Sequence, residues 1–153
     1  MPTLDDVYQK FGEAAEAAQL LETELGTMLL AARCLDEGLL KNTNPARAGD
    51  ILGSVNRQTL GQLLKSRNNH TQPLDALDDV LSKALKERNR LFHSFYREHN
   101  FRRNSEEGRA LMMQDLELIH STVLDAYKAV LALNGVDLDS VAGIKPPTRH
   151  LPI

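Results

Sequence analysis

The chain has 153 residues, which is enough for one domain with its own hydrophobic core. Apolar residues make up 42% of it and charged residues 25%, which are ordinary values for a soluble globular protein. The formal net charge of −3 argues against a protein that coats nucleic acid through an overall positive charge.

The N-terminal residues and the cysteine content lead us to expect a cytoplasmic protein. Cys34 is the only cysteine, which excludes an internal disulfide and a zinc site built from cysteines, and fits a reducing compartment. Residues 1–10 are acidic and lack the basic and apolar regions of a signal peptide. No uninterrupted apolar run approaches the length that spans a bilayer, so we expect no membrane contact.

Apolar residues at three- and four-residue steps predict four main helices. Their predicted bounds are Leu4–Leu35, Asp50–Ser66, Leu74–His99 and Ser105–Leu133. Thr3 is the expected N-cap of the first helix. Asn104 is the expected N-cap of the fourth, with Glu107 completing a capping box.

The segments between these helices have the composition of connections. They are Glu37–Ala48, with a short helical piece, the loop Arg67–Pro73 and the basic Phe101–Arg103. No hairpin signal or long alternating run is present. The sequence therefore predicts an all-α, up-and-down bundle of four main helices over residues 1–135, followed by a proline-containing tail over residues 136–153.

The predicted helix Leu74–His99 carries an arginine on its apolar side. At about 100° per residue, Arg88 lies near the centre of an arc that includes Leu81 and Phe95, and His99 lies close to it. An unpaired buried charge costs several kcal/mol. Arg88 therefore needs a partner or a function. The other members of the apolar arc are Leu74, Leu77, Val80, Ala84, Leu85, Leu91, Phe92 and Tyr96.

The same helix and the connection after it form a locally basic segment. Residues 83–103 contain seven Lys or Arg and two Glu, a local excess of +5 in an acidic chain. Any polyanion should meet this segment first.

Within this segment, Arg88-Asn89-Arg90-Leu91-Phe92-His93 is an arginine, a polar residue, three variable residues and a histidine. This resembles the Arg-polar-x3-His signature of the HEPN superfamily, whose members are small α-helical bundles, many of them metal-independent endoribonucleases that act as toxins or antiviral effectors. The position of the motif late in a long helix, followed by one more long helix, is similar to the family's helix order over roughly Leu4–Leu133. The resemblance implies Arg88, Asn89 and His93 as catalytic residues.

The residue types suit that chemistry independently. RNA cleavage without a metal needs a base for the 2′-hydroxyl proton, an acid for the leaving 5′-oxygen and a cation for the phosphorane. Histidine can serve as base or acid, arginine offers a planar cationic fork to phosphate oxygens, and the Asn89 amide can orient the imidazole or contact the substrate. We expect no cofactor, and no metal because the acidic pairs lack histidines at ligand spacing.

One chain supplies one such histidine for two proton transfers. The resemblance implies a homodimer whose motifs face each other, and a product that ends in a 2′,3′-cyclic phosphate. It also implies a possible antitoxin of minimal nucleotidyltransferase type. The expected RNA-binding residues are Lys86, Arg90, Tyr96, Arg97, His99, Arg102 and Arg103.

Two other functions remain open at this point. The first is a non-catalytic HEPN-like module that binds a nucleotide, RNA or a partner protein. The second is a structural helical adaptor in which Arg88 is paired with Glu13, Glu16, Glu22 or Asp115. Similarly, His93 can cap a loop carbonyl, Phe92 is expected in the core, and His99 can simply stabilise a helix end.

Overall fold

In the computed structural model, residues 1–141 and 148–149 are described, and they form α-helices and short 3-10 segments without any β-strand. The prediction of an all-α protein is confirmed for these residues. The α-helices are α1 (Leu4–Asp36), α2 (Pro45–Asn56), α3 (Leu60–Lys65), α4 (Asp78–His93), α5 (Phe95–His99) and α6 (Glu106–Leu133). The 3-10 segments are Asn69–Leu77, Asn100–Asn104 and Leu138–Ser140.

The chain divides into two compact units, and the long helices α1 and α6 contribute to both. The first unit contains Met1–Leu21 and Leu77–Tyr127, and therefore the whole predicted site. Its core is a cluster of seven buried residues from α1, α4, α5 and α6: Val7, Ala14, Leu91, Phe95, Met112, Leu116 and Ile119. Burial of these side chains fixes α4 and α5 against the first part of α1 and of α6.

The second unit contains Glu22–Ala76 and the described residues from Lys128 onward. Gly26 of α1 lets α2 approach closely, because a Cβ there would lie 3.0 Å from Val55 Cγ1. His70, expected to be a loop histidine, lies in the 3-10 segment Asn69–Leu77 and pairs with Asp36 at 2.9 Å. These contacts hold α2 and the 3-10 segment to the second half of α1.

The first and last helices agree with the prediction. Thr3 Oγ1 accepts a hydrogen bond from Asp6 N at 3.1 Å, as an N-cap should. The predicted cap of the fourth helix is wrong by one residue, because Ser105 Oγ, rather than Asn104, accepts from Gly108 N at 3.0 Å. Of the predicted tail, residues 136–141 and 148–149 are described, and 142–147 and 150–153 lie outside the described residues.

The predicted helix Asp50–Ser66 is wrong, since two helices occupy this region and a turn at residues 57–59 separates them. Asn44 caps α2 by accepting from Arg47 N at 3.0 Å, and Pro45 occupies the first turn. Gln62 Oε1 accepts a hydrogen bond from Thr59 N at 2.9 Å, and this contact caps the N-terminus of α3. Buried Ile51 and Val55 belong to one helix and buried Leu60 and Leu63 to the other.

The predicted helix Leu74–His99 is also wrong in its bounds. Its first residues belong to the 3-10 segment that contains Pro73, and α4 begins only at Asp78. A break at Ser94, where φ is −131° and ψ is −20°, then separates α4 from α5. None of the described helices combines the length and the apolar composition that a membrane crossing requires.

A substitution at Gly108 tests the close contact between the start of α6 and the preceding loop. A Cβ at this position would lie 2.1 Å from the backbone oxygen of Arg102, so the backbone must move to accept it. We expect Gly108→Ala to lower the free energy of unfolding by about 1–3 kcal/mol, measured by urea denaturation.

The matched control is Gly12→Ala in α1, where a Cβ would meet nothing within 4 Å. Because alanine favours a helix interior over glycine, this variant should gain about 0.5–1 kcal/mol. Equal effects of the two substitutions would contradict the contact at Gly108.

Candidate active site

The predicted motif occupies the last two turns of α4, and His93 is the final residue of that helix. The side chains of Asn89 and His93 are both exposed. Residues four apart in a helix lie on the same face. The amide and the imidazole are therefore presented to solvent side by side at the end of α4.

Arg88 is half-buried and lies over an aromatic ring. Its guanidinium carbon is 4.8 Å from the centre of the Phe92 ring, and its Nη1 donates to Asn89 Oδ1 at 3.3 Å. Stacking of a cation on a ring is favourable and limits the orientations of the guanidinium plane. The contact with Asn89 brings the charge of Arg88 towards the face that carries His93.

Phe92 was expected in the core, and that prediction is wrong. Its side chain is 38% exposed, and its ring supports Arg88. The arginine at the centre of the predicted apolar arc is therefore accommodated at the rim of the helix. It rests on an aromatic surface that is itself partly in water.

Arg90, an expected RNA-binding residue, contacts three carboxylates of its own chain. Its guanidinium donates to Glu87 at 2.6 Å, to Glu98 at 2.8 Å and to Asp115 at 2.8 Å. The hydrogen bond with Glu98 is the largest of the causes that raise the pKa of Arg90. These three carboxylates belong to α4, α5 and α6, so one side chain connects all three helices.

His99 extends this group of contacts into the interior. Its side chain is 4% exposed, its Nε2 lies 2.8 Å from Asp115 Oδ2, and its Nδ1 lies 3.1 Å from Arg102 Nη1. A guanidinium can only donate, so Nδ1 accepts from Arg102 and Nε2 carries the proton that is donated to Asp115. We call the connected side chains Glu87, Arg90, Glu98, His99, Arg102 and Asp115 the Arg90 network.

The Arg90 network makes ionisation of Asp115 favourable despite its position. Burial opposes the charged form, but hydrogen bonds from His99 and Arg90 outweigh it, and the pKa of Asp115 is lowered from the usual 3.8. A negative charge is thereby held between α4, α5 and α6. It fixes how α5 departs from the end of α4.

The seven predicted RNA-binding residues divide between two environments. Arg90 and His99 are engaged in the Arg90 network, where their polar atoms face their own chain. Arg102 belongs to that network through one guanidinium nitrogen but is an exposed residue. The remaining four residues are exposed: Lys86, Tyr96, Arg97 and Arg103.

Sequence reasoning missed Glu87 and Glu98 as partners of Arg90, and considered Asp115 only as a partner of Arg88. The spacing of three residues from Glu87 to Arg90 was an available signal. The pair with Glu98, eight residues away, requires the break at Ser94, and no glycine or proline marks that break. Phe101, which is 76% exposed beside Arg102, was also not assigned.

Comparisons of the chain with protein-family models, with curated proteins and with solved structures find no match. The resemblance to the HEPN superfamily rests on the Arg88–His93 motif and on the order of the helices around it.

Replacement of Asp115 by Asn should destabilise the protein in a pH-dependent way. At neutral pH it removes the charge from two hydrogen bonds, and we expect a loss of about 1–3 kcal/mol. Because the folded pKa is lowered, the stabilisation by wild-type Asp115 is complete above the unfolded pKa and disappears as the pH falls through the folded pKa. The difference in stability between the two proteins should therefore shrink as the pH falls below about 4, as measured by urea denaturation.

Asp125→Asn is the matched control, because Asp125 is an exposed carboxylate on the same helix. It should leave the stability within about 0.5 kcal/mol of wild type. A difference for Asp115→Asn that stays constant down to strongly acidic pH would contradict the assigned role of its charge.

Proposed function

We propose that the protein is a metal-independent endoribonuclease of HEPN type. The observation that carries this proposal is the arrangement of the motif: Arg88 is stacked on Phe92 and bonded to Asn89, and Asn89 shares an exposed face with His93. Phosphodiester transesterification requires a cation for the phosphorane and groups that transfer protons, which the guanidinium and the accessible imidazole can supply, while the amide can orient the imidazole or contact the substrate.

In the proposed reaction, His93 acts as the general base. It takes the proton of a 2′-hydroxyl as the 2′-oxygen attacks the adjacent phosphorus. Arg88 stabilises the extra negative charge of the phosphorane through its guanidinium N–H groups. The bond to the 5′-oxygen then breaks, the departing oxygen takes up a proton, and the cut strand ends in a 2′,3′-cyclic phosphate.

The proton for the leaving 5′-oxygen is assigned to a second copy of His93. We propose a homodimer in which two copies of the motif share one cleft. Within each copy, we propose an up-and-down arrangement of the helices. The partly exposed Phe92 ring and the half-buried Arg88 on one side of α4 suit such a contact between copies. Each copy then contributes one histidine, and together they serve as base and acid.

The local charge supports an RNA substrate. Both glutamates of residues 83–103 are engaged with Arg90. Lys86, Arg97, Arg102 and Arg103 are exposed cations, and residues 83–103 keep a formal excess of +5 after both glutamates are counted. Phosphate contacts from such residues position the strand without selecting its sequence. We assign Arg90 and His99 to hold this surface in place.

The proposal includes the class of biological role implied by the HEPN resemblance. The enzyme would act as a toxin or RNA-targeting effector in the cytoplasm. An antitoxin of minimal nucleotidyltransferase type is the partner that such a role implies.

His93→Ala and Arg88→Ala should each lower the rate of cleavage at least a hundredfold while the protein stays folded. Loss of an acid–base histidine reduces the rate about 10²–10⁴-fold, and loss of a transition-state donor about 10²–10³-fold. The assay uses tRNA and unstructured RNA in excess EDTA, with identification of the cyclic phosphate ends. Arg88→Lys keeps the charge but loses the planar fork, and should recover only part of the activity.

His70→Ala and Arg57→Ala, which replace an exposed histidine and an exposed arginine of the second unit, are the matched controls and should cleave normally. Folded, dimeric wild-type protein that cuts neither RNA would favour the non-catalytic binding module. Cleavage that survives both alanine variants would exclude this motif as the active site.

The exposed cations give a separate prediction about binding. In the His93→Ala background, Arg97→Gln should weaken binding to RNA of any sequence. It should also reduce the slope of log Kd against log salt concentration by about one, the value for one lost phosphate contact. Filter binding at several salt concentrations measures both quantities. Lys41→Gln, which removes an exposed cation of the second unit, should change neither.

A further inference from the structure

Phe101 is the most exposed aromatic residue of the chain. It is 76% exposed, whereas the other partly exposed rings of Tyr8, Phe92 and Tyr96 lie between 38% and 44%. Burial of a phenylalanine side chain is favourable by about 1.5–3 kcal/mol. The fold leaves this contribution unused at Phe101, although the ring lies in a short connection between two packed helices.

The backbone before Phe101 adopts a conformation that non-glycine residues rarely take. Asn100 has φ +47° and ψ −120°, and it is the one non-glycine residue with positive φ among the described residues. Such a conformation costs on the order of 1–3 kcal/mol and tends to occur at functional positions. It turns the chain out of α5 and directs the next residue into solvent.

Contacts on the other side of Phe101 hold the connection in place. Arg109 of α6 donates to the oxygen of Arg103 at 3.1 Å and to the oxygen of Pro2 at 2.8 Å. The backbone of Arg102 fits against Gly108, where a Cβ would lie 2.1 Å from the oxygen of Arg102. Arg102 also donates to buried His99. The exposure of Phe101 is thus the product of a defined loop conformation.

Phe101 is followed by two cationic residues. Arg102 and Arg103 follow it directly, and both are exposed. Tyr96 of α5 is 40% exposed, and its ring packs against Phe11 and Phe95. No carboxylate lies between Phe95 and Arg103 except Glu98, which is bonded to Arg90.

This combination suits an unpaired nucleotide. Single strands are bound by cations that follow the phosphates together with aromatic rings on which bases stack, whereas the bases of a duplex are already stacked on one another. We propose that Phe101 stacks on an unpaired base of RNA while Arg102 and Arg103 hold the flanking phosphates, so that the substrate is single-stranded. The inference rests on the proposed ribonuclease function and names its substrate class.

The chain contains no tryptophan, so Phe101→Trp introduces a single fluorescent reporter at the position in question. The variant is combined with His93→Ala, so that the measurement depends on binding and not on cleavage. The probe is an unstructured RNA of about twelve nucleotides, a length within the range that single-strand-binding surfaces accommodate. We expect it to quench the tryptophan emission. An abasic oligomer of equal length and an RNA duplex should leave the emission largely unchanged.

Phe101→Ala, also in the His93→Ala background, gives the matching loss of affinity. It should weaken binding of the unstructured RNA by about 5- to 150-fold, the value of one stacked base, with little effect on the duplex. The control is Leu118, an exposed apolar residue of α6 that is 58% exposed and has no adjacent cation. Leu118→Trp should not be quenched, and Leu118→Ala should bind the RNA as the parent does.

The outcomes separate this inference from the proposed function. If wild-type protein cleaves RNA through His93 but the Phe101→Trp reporter is not quenched and Phe101→Ala binds normally, the stacking role is overturned and the ribonuclease stands. If the Phe101→Trp reporter is quenched but no cleavage is found, the stacking site stands and the ribonuclease fails. A reporter emission that changes with protein concentration before RNA is added would place Phe101 in a contact between copies and overturn the inference.

Discussion

The guanidinium of Arg90 is the charge on which the geometry of this region depends. It is partly removed from water, and it is stabilised because three carboxylates from three helices converge on it. This side chain allows few alternative arrangements, since loss of Arg90 would leave three carboxylates without the cation that they share. The direction of α5 relative to α4 is therefore determined by this set of ion pairs together with the burial of Phe95.

The Arg90 network lies within a basic segment of a chain that is acidic overall. One guanidinium contacts three carboxylates and Glu98 stays exposed, so the positive charge of residues 83–103 comes from their seven Lys or Arg against two Glu. The break at Ser94 places His93 at a helix end, where its imidazole has no following turn of the same helix beside it. The Arg90 network and the candidate catalytic residues share no side chain, whereas Arg102 belongs both to that network and to the proposed RNA-binding residues.

The loop that begins at Asn100 has a backbone conformation that its residue types do not favour. Its positive φ and the close approach at Gly108 are both unfavourable for most residues, and both occur within nine residues of sequence. Contacts from His99 and Arg109 hold the loop from either side. The same features expose Phe101 beside two arginines, so the cost in strain and the unusual surface have one structural origin.

The sequence by itself determined the helical class, the first and last helices and the location of the motif, because apolar periodicity, capping residues and residue spacing are local properties. It also indicated that an arginine of α4 needed a partner. The helical wheel pointed to Arg88, whereas in the structure Arg90 contacts three carboxylates. Asn44 and Pro45 are residues typical of the start of one helix, and Thr59 and Gln62 are typical of the start of another. These signals indicated two helices here but were not recognised. Only the tertiary structure decided the break at Ser94, the pairing of Arg90 with Glu98 and Asp115, and the outward position of Phe101. These depend on contacts across a helix break and between different helices, which a helical wheel of one straight helix does not contain.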